Sequence, residues 1–108
     1  MERFEALAAD HAAWSQDTFG SDASRDWMGP LAHLAKELRE IEEQPMDREE
    51  WADALLLLLD ASRRAGFNAV GLLQAAEYKL SINKNRVWQE PNEDGSIEHD
   101  KAKTKGQF

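Results

Sequence analysis

LAKELREIEEQPMDREEWADALLLLLD, from Leu34 to Asp60, decides how the rest of the chain is read. It carries two carboxylate pairs, Glu37 with Glu40 and Glu50 with Asp53, each spaced i, i+3. On an α-helix that spacing puts both side chains on one face about a turn apart, so each pair can grip a common cation. Gln44-Pro45-Met46 interrupts the helical pattern between the pairs. Two helices joined by so short a turn fold back antiparallel and bring the pairs face to face, four carboxylates around one small volume. Without a cation such a cluster repels itself, and the oxygen-only donor set suits magnesium or manganese.

The pattern on either side is helical throughout. Phe4, Leu7, Ala8, His11 and Trp14 follow the amphipathic rhythm of a first helix from Met1 to about Thr18, stopped at Gly20 by a left-handed cap. Gly29-Pro30 is expected to open a second helix whose core stripe is Leu31, Leu34, Leu38 and Ile41. Asp47 caps the third, and Glu50 three residues on also fits a capping box, so Glu50 is open to either reading, cap or ligand. Leu55 to Leu59 cover the whole circumference of this helix, which predicts burial by its own subunit on one side and by a partner on another. Asp60, at heptad spacing from Asp53, is open as an extra ligand, an outer group or a solvated acid. Asn68 caps a fourth helix, with Val70, Leu73, Ala76 and Leu80 towards the core.

Lys79, Asn83 and Arg86 fall at i, i+4, i+7, a cationic and amide row near the end of that helix. They read either as cations favoured by a helix C-terminus or as a phosphate clamp. Trp14, Phe19 and Trp27, with Ser15, Gln16 and Asp17 between them, read either as core or as stacking and polar groups for a base. His11 and His33 read as helix-surface or core-edge residues, since neither has a second histidine at ligand spacing. Residues 1–89 thus form an all-α domain, a four-helix bundle completed by oligomerisation, and residues 90–108 a polar, partly mobile tail in which only Ile97 and His99 could dock.

Composition narrows the functions. One domain of 108 residues without cysteine has neither disulfide nor thiolate metal site, and its net charge of -8 repels a polynucleotide. The apolar run Ala54 to Leu59 is too short to span a bilayer, and MERFEALAADHAAW has no signal-peptide pattern. A cytoplasmic protein that binds neither polynucleotide nor membrane is expected. Carboxylates converging on divalent ions, with cations to neutralise phosphates, describe metal-assisted hydrolysis of a phosphoanhydride. The competing expectation is a non-catalytic acidic module serving dimerisation.

Ordered together, ExxE, ExxD and a helix with Lys, Asn and Arg resemble the all-α nucleoside triphosphate pyrophosphohydrolases of the MazG type. WSQDTFG at Trp14, GPLAHLAKELREI at Gly29, EWADALLLLLD at Glu50, KLSINKNRVW at Lys79 and IEHDK at Ile97 are similar to the dATP/dGTP diphosphohydrolase branch, to which phage MazZ proteins belong. The resemblance covers about Trp14 to Lys101. It implies that Glu37, Glu40, Glu50 and Asp53 ligate two or more Mg2+ or Mn2+ ions, and that Lys79, Asn83 and Arg86 contact the triphosphate. It further implies a purine deoxynucleoside triphosphate, dGTP and dATP, cleaved to monophosphate and pyrophosphate by a homodimer or homotetramer. Only nine residues separate Glu40 from Glu50, shorter than in typical members, which leaves less room for a loop over the substrate.

Overall fold

A computed structural model of the chain describes residues 2–104, with side chains through residue 99. Among the described residues the fold is all-α, four helices followed by one small antiparallel ribbon. The described residues form two compact units, one through Leu72 and one from Leu73 onward.

In the first unit, α1 (Glu2–Phe19) ends where Gly20 takes a φ of +102°, followed by a 3-10 turn at Asp22–Ser24. The second helix, α2, spans Met28–Glu43 and starts two residues before Pro30. Asp26 explains the earlier start: its Oδ1 accepts from the Met28 N–H at 2.9 Å. Pro30 then sits in the first turn, where its missing N–H still costs no helical bond.

The α2–α3 turn is pinned from both sides. The Asp47 N–H donates to the Gln44 carbonyl at 3.0 Å, and the Trp51 indole N–H to the Pro45 carbonyl at 3.0 Å. Asp47 caps α3 (Arg48–Arg64) by accepting from the Glu49 N–H at 3.0 Å. Since Gln44 already takes the Asp47 N–H, the reciprocal half of a capping box has no donor left, and Glu50 is not spent on capping. At its far end α3 closes in a Schellman motif. Phe67 N–H donates to Ser62 O at 2.9 Å and Gly66 N–H to Arg63 O at 3.0 Å, with Gly66 at φ +103°.

Helices α2 and α3 pack together most extensively. Ala8, Ile41, Leu59 and Ala61 are buried, and so are three polar residues, Ser15, Glu37 and Asp60. The expected core stripe of α2 is rotated. Pro30, Glu37 and Ile41 are buried, whereas Leu31 and Leu38 are exposed, because the hairpin turns the Glu37 edge of the helix inward. The leucine run divides as its full circumference requires: Leu59 is buried, Leu56 and Leu57 line a cavity, and Leu55 and Leu58 are 43% and 44% exposed.

The fourth helix, α4 (Ala69–Lys84), begins with Asn68 Oδ1 accepting from the Gly71 N–H at 2.8 Å. None of its residues is buried, and the expected core residues Val70 and Leu80 are exposed. In the second unit the helix stops before Arg86, which opens β1 (Arg86–Trp88). The polar segment expected as a tail returns as β2 (His99–Thr104), antiparallel to β1. Trp88 is the reason a polar segment can settle there. Its ring meets His99 edge-on at 5.7 Å, and its indole N–H donates to the Asn83 carbonyl at 3.0 Å. Residues 105–108 of the expected tail lie outside the described residues.

A Cβ at Gly66 would meet no atom within 4 Å, so only the backbone conformation penalises a side chain there. Gly66→Ala is expected to cost about 1 kcal/mol, read as a lower urea midpoint with an unchanged slope.

Candidate metal and nucleotide site

Pro30, Leu34, Glu37 and Ile41 repeat at i, i+4, i+7 and i+11, and this periodicity carries Glu37 into the α2–α3 seam. Glu40 follows one turn later and is exposed, while Glu50 reaches in, half-buried, from the first turn of α3. One carboxylate oxygen from each of Glu37, Glu40 and Glu50 lies within 4.8 Å of the other two. The crowding favours a protonated Glu50 carboxyl. A hydrogen bond to Glu40, then one to Glu37, then burial push the Glu50 carboxyl up to about 7. Glu37 Oε2 and Glu50 Oε2 are buried without a hydrogen-bond partner, and His33 Nε2 stands 3.3 Å from Glu37 Oε1.

This set fits a divalent cation. The donors are all hard oxygens, two of them are buried with lone pairs unused, and three acids are held closer than their charges favour. Asp53 stands apart from the tight trio. It is exposed, one turn after Glu50, and lines the same cavity as Glu37.

That cavity is about 530 Å³, within the range of small-molecule sites. Trp14 and Phe19 form its aromatic wall, edge to face at 5.5 Å, and Arg25 stands 5.8 Å over the Phe19 ring. Leu56 and Leu57 add an apolar wall, and His33 stands near the acids. At the other end lie His11, Asp60 and Arg64. Asp60 is neither solvated nor among the clustered acids. Ser15 Oγ donates to its Oδ1 at 2.9 Å, Arg63 Nη2 bonds the same oxygen, and Arg64 Nη2 lies 3.3 Å from its Oδ2. Arg63 Nε also donates to Asp22 Oδ2 at 2.7 Å, which ties the 3-10 turn to α3.

Of the expected site residues, the structure brings Glu37, Glu40 and Glu50 into one cluster and Trp14, Phe19, Glu37 and Asp53 to one cavity. Trp27 is exposed and does not line it, and Ser15 is buried at 1% exposure against Asp60, not free to read a base. Gln16 and Asp17 are exposed outside the lining. Lys79 and Asn83 lie on α4 and Arg86 in β1, where Arg86 Nη1 donates to Asn83 Oδ1 at 3.3 Å. The row is therefore helical only through Asn83. Arg64, Arg25 and His11 were missed as lining residues. Asp60 followed by Arg63 and Arg64 at i+3 and i+4 was the available signal for the first of them.

The dATP/dGTP pyrophosphohydrolase family matches residues 7–106. The chain belongs to that family. It is 44% identical over 92 residues to the Eaa protein of Salmonella phage P22, a match covering 82% of this chain and 27% of that protein. It is 35% identical over 89 residues to a dATP/dGTP diphosphohydrolase of Salmonella phage PMBT28, covering 82% of this chain and 28% of that one. The chain thus spans little more than a quarter of these curated relatives. Among solved structures it is similar to a cyanophage S-2L MazG-like pyrophosphohydrolase bound to dGDP and three catalytic Mn2+ ions per active site. That likeness has 30% identity and a TM-score of 0.75, covering 92% of this chain and 93% of the other. No helix among the described residues is long and apolar enough to cross a membrane.

Folding raises the Glu50 carboxyl from its ordinary 4.5 to about 7, so between those values the folded chain binds more protons than the unfolded one. The stability that protonated Glu50 contributes is present below the unfolded value and lost as the pH rises through about 7. In EDTA the thermal midpoint of the unsubstituted chain is expected to fall more steeply from about pH 5 to about pH 7.5 than that of Glu50→Gln. Equal slopes in a melting series would contradict the raised Glu50 carboxyl.

Proposed function

We propose that the chain is a divalent-metal-dependent hydrolase of purine deoxynucleoside triphosphates, dGTP and dATP, releasing the monophosphate and pyrophosphate. The observation that carries this reading is the convergence of Glu37, Glu40 and Glu50 within 4.8 Å, beside a cavity of about 530 Å³ that has an aromatic wall and shares Glu37. Family membership and the Mn2+ and dGDP bound by the S-2L neighbour support it.

Glu37, Glu40 and Glu50, joined by Asp53, would hold two or more Mg2+ or Mn2+ ions. Such ions, when bound, supply positive charge to phosphate oxygens and lower the pKa of a bound water. The protein's own share is positioning. His33 Nε2, 3.3 Å from Glu37 Oε1, is placed to steady that carboxylate, as outer partners of metal-bound groups do. Trp14 and Phe19, which line the cavity, would pack against the base. Lys79, Asn83 and Arg86 would contact the triphosphate, Lys79 as a point charge, Arg86 as a fork and Asn83 through its amide. The bond broken joins the α- and β-phosphates.

The chain works as a homodimer or homotetramer. Leu31, Leu38, Leu55 and Leu58 are exposed in one chain, and exposed apolar patches of this kind mark association surfaces. It acts on the nucleotide pool in the cytoplasm of a bacterium or of a phage-infected host, and binds neither polynucleotide nor membrane.

Incubation of the deoxynucleoside triphosphates with Mg2+ or Mn2+, followed by separation of products, is expected to give deoxynucleoside monophosphate and pyrophosphate. Glu50→Gln and Asp53→Asn, still folded by circular dichroism, are expected to lose on the order of a hundredfold or more in kcat/KM. Orthophosphate as the sole inorganic product would reject the assignment.

A further inference from the structure

The cavity has a second end that the carboxylate chemistry leaves unused. Asp53 and Asp60 are seven residues apart on α3, so they share a face and stand roughly 10 Å apart along the axis. Metal chemistry belongs to the Asp53 end. At the Asp60 end the side chain of Arg64 is only 2% exposed, lines the cavity, and keeps an Nε that makes no hydrogen bond. Asp22 Oδ1, itself buried without a hydrogen-bond partner, is 4.0 Å from that Nε, too far for a hydrogen bond. His11 Nδ1, on the same lining, is likewise buried without a partner. Buried polar atoms left unpaired beside an open cavity are matched when a ligand supplies the missing groups.

Counting donors and acceptors says what kind of ligand. Asp60 Oδ1 already accepts from Ser15 and Arg63, and its Oδ2 takes Arg64 Nη2, so about one lone pair of four remains. Arg64 carries five N–H groups: Nη2 is engaged towards Asp60 and, at 3.5 Å, Ser15 Oγ, while Nε faces Asp22 Oδ1 at 4.0 Å as an ion pair without a hydrogen bond. Donors are therefore in surplus, and the end favours an acceptor-rich edge. Among purines, a 6-oxopurine offers O6 and N7 side by side, both acceptors, whereas adenine offers N7 beside an amino donor.

We propose that Arg64 is the specificity-determining residue of this cavity, donating to O6 and N7 of a 6-oxopurine base, with Asp60 and Ser15 as positioning residues that hold its guanidinium. The assignment rests on the hydrolase reading and deepens it by naming the base and the group that reads it. Trp14 and Phe19 then serve every base alike, while the fork at Arg64 separates them.

The test compares kcat/KM for dGTP, dITP, 7-deaza-dGTP and dATP with Mn2+, in the unsubstituted chain and in Arg64→Lys, which keeps the charge beside Asp60 but loses the fork. The unsubstituted chain is expected to favour dGTP and dITP over both 7-deaza-dGTP and dATP by about tenfold or more. In Arg64→Lys the dGTP and dITP values are expected to fall at least about tenfold further than the dATP value. An equal fall for all substrates marks a merely structural arginine and overturns the proposal. Should Arg64→Lys fail to fold, the unsubstituted chain still decides: turnover of dATP or 7-deaza-dGTP as fast as dGTP overturns it. Hydrolysis with an unaltered base ratio removes the Arg64 assignment alone, whereas hydrolysis of no triphosphate removes the enzyme reading and this proposal together.

Discussion

Mutual repulsion of carboxylates across the α2–α3 hairpin is the constraint on which the rest of the structure turns. Glu37, Glu40 and Glu50 converge within 4.8 Å, and the fold holds them there by means unrelated to their charge: the Trp51 clamp on the turn, the Asp47 cap, and the burial of Ile41 in the seam. The strain shows in the raised pKa of Glu50. A hairpin selected for stability alone would place apolar or oppositely charged groups at such a seam, so the cluster is a local conflict of the kind found at functional sites.

A second polar construction stands at the other end of the same cavity, and it solves the opposite problem. Asp60 is buried but shared among Ser15, Arg63 and Arg64, so its charge is compensated several times over. Through Arg63 it also anchors Asp22 and so the turn that follows α1. One helix, α3, therefore carries an under-compensated acid at its start and an over-compensated one near its end. The contrast gives the cavity a cation-seeking end and a donor-rich end, a polarity that suits a nucleotide with its phosphates and base at opposite ends.

Much of this was legible in the sequence because it follows from local rules. The i, i+3 acids, the proline turn, the Asp47 and Asn68 caps and the glycine stops at Gly20 and Gly66 each depend on a few neighbouring residues, and each is found where the pattern puts it. Depth was harder to read. Periodicity gives a face but not which edge of that face turns inward, and the hairpin angle put Glu37 inside and left Leu31 and Leu38 outside. The role of Asp60 depended on Ser15, a residue 45 positions away, which no local rule could supply. The β1–β2 ribbon was missed because its segment is polar and nearly without alternation, and its anchoring contact, Trp88 against His99, is tertiary.

On the proposed reading, the clustered acids hold divalent cations. Anomalous diffraction at the manganese absorption edge, from crystals grown with Mn2+ and a non-hydrolysable purine deoxynucleotide, tests it most directly. Anomalous peaks are expected on carboxylate oxygens of Glu37, Glu40 and Glu50, at about 2.0 to 2.3 Å, with phosphate oxygens completing the coordination. Manganese bound only elsewhere on the surface, with the three glutamates free of it, would contradict it.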